Sequence, residues 1–277
     1  MILFNGREEA LKLDQKIRET LVQNPSLGGW YHRLCIIMIG GDPSSKKYVD
    51  LKKKLCDELG IIADVVMLDE ALPDREITKR VGDLCNDDRI GGVVIQLPLP
   101  RSSLNPLLNQ IPEEKDVDRI SPENVRKLYE NDFSKSNNFL KFSPVIRAFK
   151  YYLDWSNINP KNLKTTILGK GFLVGEPLGH FLLQQGAKVQ FILDYKANQA
   201  LNCHLLVLSA GSPELVKGEC ISKMCNVVDF GSSVINNKTI GDLDLKSAIG
   251  HLGVISLSPG GMGPLVTRFL LMNFLGI

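Results

Sequence analysis

Tyr48 and Lys52 stand four residues apart in a stretch that reads as helix, so one face carries an aromatic ring beside an ammonium group. That pairing suits proton transfer on a flat heteroaromatic molecule. The plainer alternative is a surface helix whose lysines are all solvated. Gln96 sits where the apolar run Gly92-Val93-Val94-Ile95 meets Leu97-Pro98-Leu99-Pro100, and the two prolines forbid that run to continue inside a sheet. Ligands of open α/β sheets collect at the carboxyl ends of strands. Gln96 is therefore either a working residue or one that satisfies loop backbone.

Asp116-Val117-Asp118 follows Pro112-Glu113-Glu114-Lys115. In an extended chain both carboxylates point to one side, and one of them could grip the amino and ring N–H groups of a pterin-like heterocycle. Turn or cap duty ahead of Ser121-Pro122 is the competing role. A glycine loop, Gly169-Lys170-Gly171-Phe172-Leu173-Val174-Gly175, leads to Pro177 near the start of a helix. Its G-x-G-x-x-x-G spacing is one residue longer than the common dinucleotide fingerprint, and it lies between a strand and a helix as that fingerprint requires. Glycines there let backbone approach a pyrophosphate at the helix N-terminus. Asp194, at the end of the next strand, supplies the acid that such units place near a ribose. Last comes Ser258-Pro259-Gly260-Gly261-Met262-Gly263-Pro264, whose three glycines allow backbone to lie flat against a ligand.

The elements that must position these residues alternate in the α/β manner, with a mainly parallel sheet. Strands are expected at 34–40, 61–68 and 92–95, with a helix from a Ser44 or Ser45 cap to Gly60 and another at 74–86. Residues 101–143 read as irregular, ending in the polar stretch 131–138. Ser143-Pro144 starts a helix running to about Trp155, and a domain boundary is placed there. Further strands are expected at 164–168, 188–193, 204–209, 226–230 and 253–257, and a final apolar helix from Pro264 to about Leu275.

A length of 277 residues suits two domains, and 44% hydrophobic with 23% charged residues marks an ordinary globular chain. A net charge of +2 gives no argument for nucleic acid. The one dense basic run, Lys46-Lys47 and Lys52-Lys53-Lys54, is most simply a solvated helix face. Six cysteines show no C-x-x-C pair and no zinc spacing with the four histidines, so free thiols, a reducing compartment and no metal are expected. No signal peptide and no apolar run of membrane-spanning length is found. The chain reads as cytoplasmic.

Taken in order, these motifs resemble the bifunctional methylenetetrahydrofolate dehydrogenase/cyclohydrolase family. The resemblance rests on Ser45-x-x-Tyr48-Val49-x-x-Lys52-x-Lys54 with Gly60-Ile61, on Val94 to Pro100, on Lys115 to Asp118, on Pro122-Glu123-Asn124 and on Pro259 to Pro264. It spans nearly the whole chain. It implies an N-terminal α/β substrate domain, 1–143, to which 264–277 returns as a helix packing back on it, and a Rossmann-like NAD(P)-binding domain, 144–263. The implied activity is oxidation of 5,10-methylenetetrahydrofolate with NAD or NADP, followed by hydrolysis of the methenyl form to 10-formyltetrahydrofolate. That places the chain in one-carbon metabolism supporting purine biosynthesis.

By this resemblance Tyr48 stacks on the pterin, Asp118 bonds its amino-pyrimidine edge, and Gln96 orients Lys52, which serves the hydrolysis. Leu97, Pro98, Gly261, Gly263 and Pro264 complete the substrate contacts. Gly169, Lys170, Gly171, Val174, Gly175, Pro177, Asp194, Ser209, Ala210 and Gly211 face the cofactor. Lys53 and Lys54 either lower the pKa of Lys52 or attract the glutamate tail of a polyglutamylated folate. A homodimer is the family's usual state.

Departures cluster in the cofactor half. There Gly171 stands where the family has serine and about six residues are missing after Asp194, while in the substrate half Arg119 stands where the family has glycine. These changes raise two alternatives, a cyclohydrolase alone or a non-catalytic folate-binding relative. Asp194 favours NAD, since an acid accepts from a ribose 2′-hydroxyl and repels a 2′-phosphate; Lys170 pulls the other way. A different two-domain Rossmann dehydrogenase, acting on an amino or hydroxy acid, lacks a use for Tyr48, Gln96 and Asp118 together.

Overall fold

The computed structural model describes residues 1–130, 142–235 and 238–277. The polar stretch 131–138 lies outside them. In chain order the strands and helices are β1 (Ile2–Phe4), α1 (Gly6–Gln23), β2 (Arg33–Ile39), α2 (Pro43–Leu59), β3 (Ala63–Leu68), α3 (Asp74–Cys85), β4 (Ile90–Ile95), α4 (Pro122–Glu130), α5 (Pro144–Trp155), β5 (Lys164–Leu168), α6 (Gly175–Gln184) and β6 (Lys188–Ile192). They continue as β7 (Leu205–Leu208), β8 (Val216–Lys217), β9 (Asn226–Asp229), β10 (Ser233–Ile235), β11 (Lys238–Ile240), β12 (Leu243–Asp244), α7 (Leu245–Ala248), β13 (Val254–Ser256) and α8 (Met262–Leu275).

Two compact units emerge, one of Lys12–Glu130 with Leu270–Ile277 and the other of Met1–Leu11 with the described part of 131–269. The first holds a parallel sheet of order β3-β2-β4. Its strands are apolar because helices cover them: Ile37, Ile39, Val93 and Ile95 pack with Ile77 and Val81 of α3 and with Leu104 and Leu107 of a 3-10 segment, Ser102–Gln110. The last turn of α8 belongs here too. Asn273 Nδ2 donates to Val117 O at 2.9 Å, and the Phe274 ring lies 4.7 Å from that of His32.

The second unit carries an all-parallel sheet of order β1-β13-β9-β7-β5-β6. The chain steps outward from β5 to β6 and then back past β5 to β7, so a crevice opens at the carboxyl ends of β5 and β7. A sequence boundary of 1–143 puts the first residues with the substrate half, whereas β1 here extends the other sheet. Ile2, Leu3 and Phe4 register with Val254, Ile255 and Ser256, and Phe4 meets Tyr152 and Trp155 edge-on.

Three local expectations are corrected. The N-cap of α2 is Asp42, whose Oδ2 accepts from Ser45 N at 2.7 Å, rather than either serine, with Pro43 opening the helix behind it. The stretch 101–143 is not irregular throughout, since α4 begins at Pro122, a residue preset for the first helical turn. And β1 and α1, which short apolar and mixed runs leave unread, open the chain. Residues 193–204 hold no helix, in keeping with the missing residues there.

Candidate functional site

Lys52 is brought to the carboxyl edge of the first sheet by α2. This helix opens directly after β2 through Gly40, whose φ of +85° turns the chain back, and closes on Gly60 at φ +80°. Gln96 arrives from the end of β4, tied to the sheet by its own N–H, which donates to Ile37 O at 2.8 Å. Its amide nitrogen donates to Leu97 O at 2.7 Å, which turns Oε1 outward to accept from Lys52 Nζ at 2.8 Å. Leu97 and Leu99 pack against the core while the Leu97–Pro98 bond is cis. The exposed Tyr48 lies one turn before Lys52 on the same helix.

The two aspartates of the Asp-Val-Asp segment part company. Asp116 is buried and fully employed: it accepts from Ser121 N at 2.7 Å, Asn124 Nδ2 at 2.8 Å and Ile120 N at 3.2 Å. Lys115 before it caps the end of α3 by donating to Cys85 O and Asp87 O, both at 2.9 Å. The structural role thus takes Lys115 and Asp116, and the expectation of two carboxylates on one side is corrected. Asp118 alone makes no hydrogen bond to the described residues and remains open to a ligand.

Electrostatics at this spot are unusual. Burial lowers the pKa of Lys52, with Asp118 pulling it back up. Burial pushes the Asp118 carboxyl up to about 6, against the opposing pull of Lys52 and with a smaller push from Asp116. Lys53 and Lys54 play no part in lowering Lys52: Lys53 pairs with Asp57 and Lys54 lies 3.7 Å from Glu58. An ammonium and a carboxylate of perturbed basicity at a strand edge are the equipment of proton transfer.

Arg119, where the family resemblance leads one to expect glycine, adopts φ +59°, the left-handed region where glycine is the default. Its Nη1 donates to Glu113 O at 3.2 Å and to Asn124 Oδ1 at 3.5 Å, while the buried Nε has no partner. Glycine would take this backbone freely, and the arginine occupies it under strain.

In the other unit the glycine loop leaves β5 with Gly169 at φ +89°, and a Cβ there would come within 2.6 Å of Ser209 O. At Gly175 a Cβ would come within 2.2 Å of Gly169 O. Gly171 has no neighbouring atom within 4 Å of such a position, leaving room over the loop. Pro177 is buried in the first turn of α6, which Val174 precedes. This cradle at the strand crevice fits a dinucleotide pyrophosphate.

The second wall is the turn after β7. Ser209 Oγ donates to Leu168 O at 2.9 Å and to Gly169 O at 3.3 Å. Asp242, which sequence reading missed, accepts from Ala210 N at 2.7 Å, Gly211 N at 3.1 Å and Ser212 N at 2.8 Å. Ala210 and Gly211 therefore offer shape to a ligand rather than N–H groups. Beside it Asp229 accepts from Gly231 N at 2.8 Å and Leu243 N at 3.0 Å, and burial pushes its carboxyl up to about 7. The pattern Asp229-x-Gly231 and Gly241-Asp242, acids beside glycines at strand ends, is the signal that was available.

Asp194 lies at the end of β6 and pairs with Lys196. Lys170 is 3.9 Å from Glu176 and sits over the Phe191 ring. In the Pro-Gly-Gly loop the Ser258–Pro259 bond is cis, and Gly261 is packed against Leu257 O and Ser256 Oγ. Gly263 is open and Pro264 half-buried. Among the described residues no group of side chains is suited to a metal and no helix is long and apolar enough to cross a membrane, and all six cysteines are free.

Comparison with known proteins covers both units. Residues 4–118 match the catalytic domain of tetrahydrofolate dehydrogenase/cyclohydrolase and residues 146–277 match its NAD(P)-binding domain. The bifunctional protein FolD of Moorella thermoacetica is 31% identical over 276 residues, 98% of this chain and 96% of that protein. The crystal structure of the FolD enzyme of Campylobacter jejuni superposes with a TM-score of 0.86 at 28% identity, covering 100% of this chain and 98% of that one. The Trypanosoma brucei enzyme, solved with NADP and an inhibitor, gives a TM-score of 0.87 at 25% identity over 99% and 96%.

Proposed function

The chain belongs to the tetrahydrofolate dehydrogenase/cyclohydrolase family, and from that membership we infer that it oxidises 5,10-methylenetetrahydrofolate with NAD(P) and hydrolyses 5,10-methenyltetrahydrofolate to 10-formyltetrahydrofolate. The observation that carries the reading is the 2.8 Å contact of Lys52 with an oriented Gln96, beside an unpartnered Asp118.

Asp118 receives the amino and ring N–H groups of the pterin as a pair of charge-assisted hydrogen bonds. The ring lies on Tyr48. With its carboxyl at about 6, Asp118 is mostly ionised at neutral pH and able to accept both. In hydrolysis, water adds to the cationic bridge carbon, the bond from that carbon to N5 breaks with its electron pair passing to N5, and the carbonyl of the N10-formyl group forms. One water proton ends on N5 and the other leaves to solvent. Lys52, whose pKa burial lowers, is the group placed to take the proton from water and return it toward N5. Gln96 fixes its amine by holding one N–H. When bound, the nicotinamide supplies the acceptor for the hydride of the methylene carbon. The chain's own part in that step is positioning, through the crevice at β5 and β7 and the Pro-Gly-Gly loop.

NAD is the favoured cofactor on this reading, because Asp194 ends β6 where the ribose 2′-hydroxyl is received. Its pairing with Lys196 supplies a cation that would soften rejection of a 2′-phosphate. Absorbance assays on the methylene substrate with NAD and NADP in parallel, then on the methenyl compound alone, test the whole scheme. Reduced cofactor and accelerated methenyl loss are expected; methenyl loss without reduced cofactor would leave a cyclohydrolase, and neither would leave a folate binder. Asp194→Ser should raise NADP use, and a parent that already prefers NADP would remove Asp194 from that role. A cytoplasmic homodimer is proposed from the family resemblance, with light scattering as its check.

A further inference from the structure

Two of the six thiols sit together. Cys203 and Cys225 are both buried, and their sulfurs lie 3.7 Å apart. Cys203 stands just ahead of β7 and Cys225 just ahead of β9, at the amino ends of adjacent parallel strands. Leu205 registers with Asn226, so the two cysteines are about one residue out of step across the pair. With strands about 4.8 Å apart and a rise of about 3.3 Å per residue, their Cα atoms stand roughly 6 Å apart, within the span of a disulfide. Both side chains enter one apolar cluster with Leu206, Leu208 and Val227, so they project from the same face of the sheet. Each is one residue from the surface: Asn202 and His204 flank the first and are exposed, as is Met224 beside the second.

The pair also differs chemically from the other thiols. The hydrogen bond between the two sulfurs, against burial and with help from Thr166, holds the Cys203 thiol below the usual thiol range, while the same bond and burial push Cys225 up. Cys203 is therefore the nucleophile of the two and Cys225 the thiol that resolves. Burial pushes Cys35, Cys56 and Cys85 up to about 12, about 12 and about 11, so these stay protonated. We propose that Cys203 and Cys225 form an oxidation site, closed to a disulfide by a small peroxide, that staples β7 to β9 in the cofactor unit. The Cys203 thiolate attacks one peroxide oxygen: the S–O bond forms, the O–O bond breaks, and the released hydroxide takes up the proton that Cys203 had lost, leaving a sulfenic acid and water. The Cys225 sulfur then attacks the Cys203 sulfur. The S–S bond forms, the S–O bond breaks, and the departing hydroxide leaves as water with the Cys225 proton. Two thiols give up two electrons, and one peroxide becomes two waters. The sulfurs lie at the amino ends of strands whose carboxyl ends shape the crevice, roughly 20 Å along the chain from Ser209 at about 3.3 Å per residue. The staple thus steadies the sheet and leaves the cofactor cradle untouched.

The test treats the reduced full chain with a slight excess of hydrogen peroxide, blocks the remaining thiols with iodoacetamide in denaturant, and maps the peptides by mass spectrometry. A crosslink joining Cys203 to Cys225 is expected, with Cys35, Cys56, Cys85 and Cys220 recovered alkylated. The thermal transition of the oxidised chain should rise by about 5–10 °C, as closing a loop of this length predicts, and return on adding dithiothreitol. Cofactor KM should be the same before and after oxidation. Cys203→Ala and Cys225→Ala should each abolish both the crosslink and the rise. The peptide map uses the parent chain alone, so it decides the matter even if a variant fails to fold. Recovery of both cysteines as free thiols, a crosslink through any other cysteine, or over-oxidation of Cys203 with Cys225 untouched would overturn the site. A crosslink that leaves the transition where it was would overturn the staple, and a changed cofactor KM would overturn its separation from the crevice.

Discussion

In one unit the proposed working groups are side chains delivered by three separate elements: Lys52 from α2, Gln96 from the end of β4, and Asp118 from the segment that follows. In the other, the working surface is backbone. Gly169 and Gly175 touch where no Cβ fits, Ser209 clamps the loop, and Asp242 ties down three successive N–H groups beneath the next turn. The difference accords with the departures that the family resemblance leads one to expect. A side-chain site depends on identity, and Lys52, Gln96 and Asp118 are all kept. A backbone site depends on shape, so serine can become Gly171 at an open position and the chain after Asp194 can shorten without undoing the crevice.

The sharpest way to break this comparison is Lys52→Met. Loss of a positioned proton carrier should cost methenyl hydrolysis about 10²–10⁴-fold, while cofactor binding by the other unit is unchanged in a fluorescence titration. Retained hydrolysis would mean that Lys52 is a surface lysine after all. The mirror-image variant is Asp242→Ala, which removes the acceptor of the Ala210, Gly211 and Ser212 N–H groups, at about 0.5–1.5 kcal/mol each on a turn that water can reach. Cofactor KM should rise by about tenfold or more and the thermal transition of that unit should fall, with hydrolysis within about two-fold of the parent. Asp242→Asn, which keeps one oxygen, should fall between. Equal loss of both activities would show that the units do not divide the labour in this way.

A smaller effect comes from pH. Asp118 must be ionised to accept two N–H groups, and its carboxyl stands at about 6. Hydrolytic kcat/KM should therefore fall as pH drops through 6, by about tenfold at one unit below. In stability the sign is reversed. A carboxyl raised on folding binds its proton more tightly in the native state, so Asp118 favours the fold below its unfolded value near 4, and that contribution is lost as pH rises from 4 through 6. Asp229, pushed up to about 7, acts in the same direction in the other unit, over a window reaching to 7. An acid limb that stays in place in Asp118→Asn would assign it elsewhere.

Much of this was legible before the fold was known. The alternation of apolar runs located the strands of both sheets except β1, because a strand covered on both faces has little choice of composition. Spacing put Tyr48 with Lys52, and two prolines marked Gln96 as a strand end. What was not legible depended on partners distant in the chain. Asp116 and Asp118 are indistinguishable by type and spacing, and only Ser121 and Asn124 folding back onto Asp116 separates them. Asp242 lies 32 residues from Ala210, so the glycine beside it marks a tight turn but not the partner it will bind. The α2 cap went to Asp42 over two eligible serines because Pro43 fixes where the helix starts. β1 was unreadable for a similar reason: three residues make a strand only when β13 is there to pair with.

Arg119 supplies the smallest effect and the most direct measure of how far side-chain identity governs the substrate unit. A left-handed backbone costs a residue with a Cβ about 1–2 kcal/mol, and glycine pays back about 0.5–1 kcal/mol of that through its freer unfolded chain. The guanidinium returns little, since its two hydrogen bonds are 3.2 and 3.5 Å long, and burial lowers its pKa. Arg119→Gly should therefore stabilise the protein by roughly 0.5–1 kcal/mol in urea unfolding. If hydrolysis of the monoglutamate is also unchanged, the arginine is a tolerated oddity in a site whose identity matters only at its reacting groups. If stability rises while substrate KM rises with it, the strained arginine is holding Asp118 in place through Glu113 and Asn124, and the reach of side-chain identity extends one residue beyond the groups that touch the substrate. A loss of stability would show that the two long hydrogen bonds outweigh the strain, contrary to their geometry.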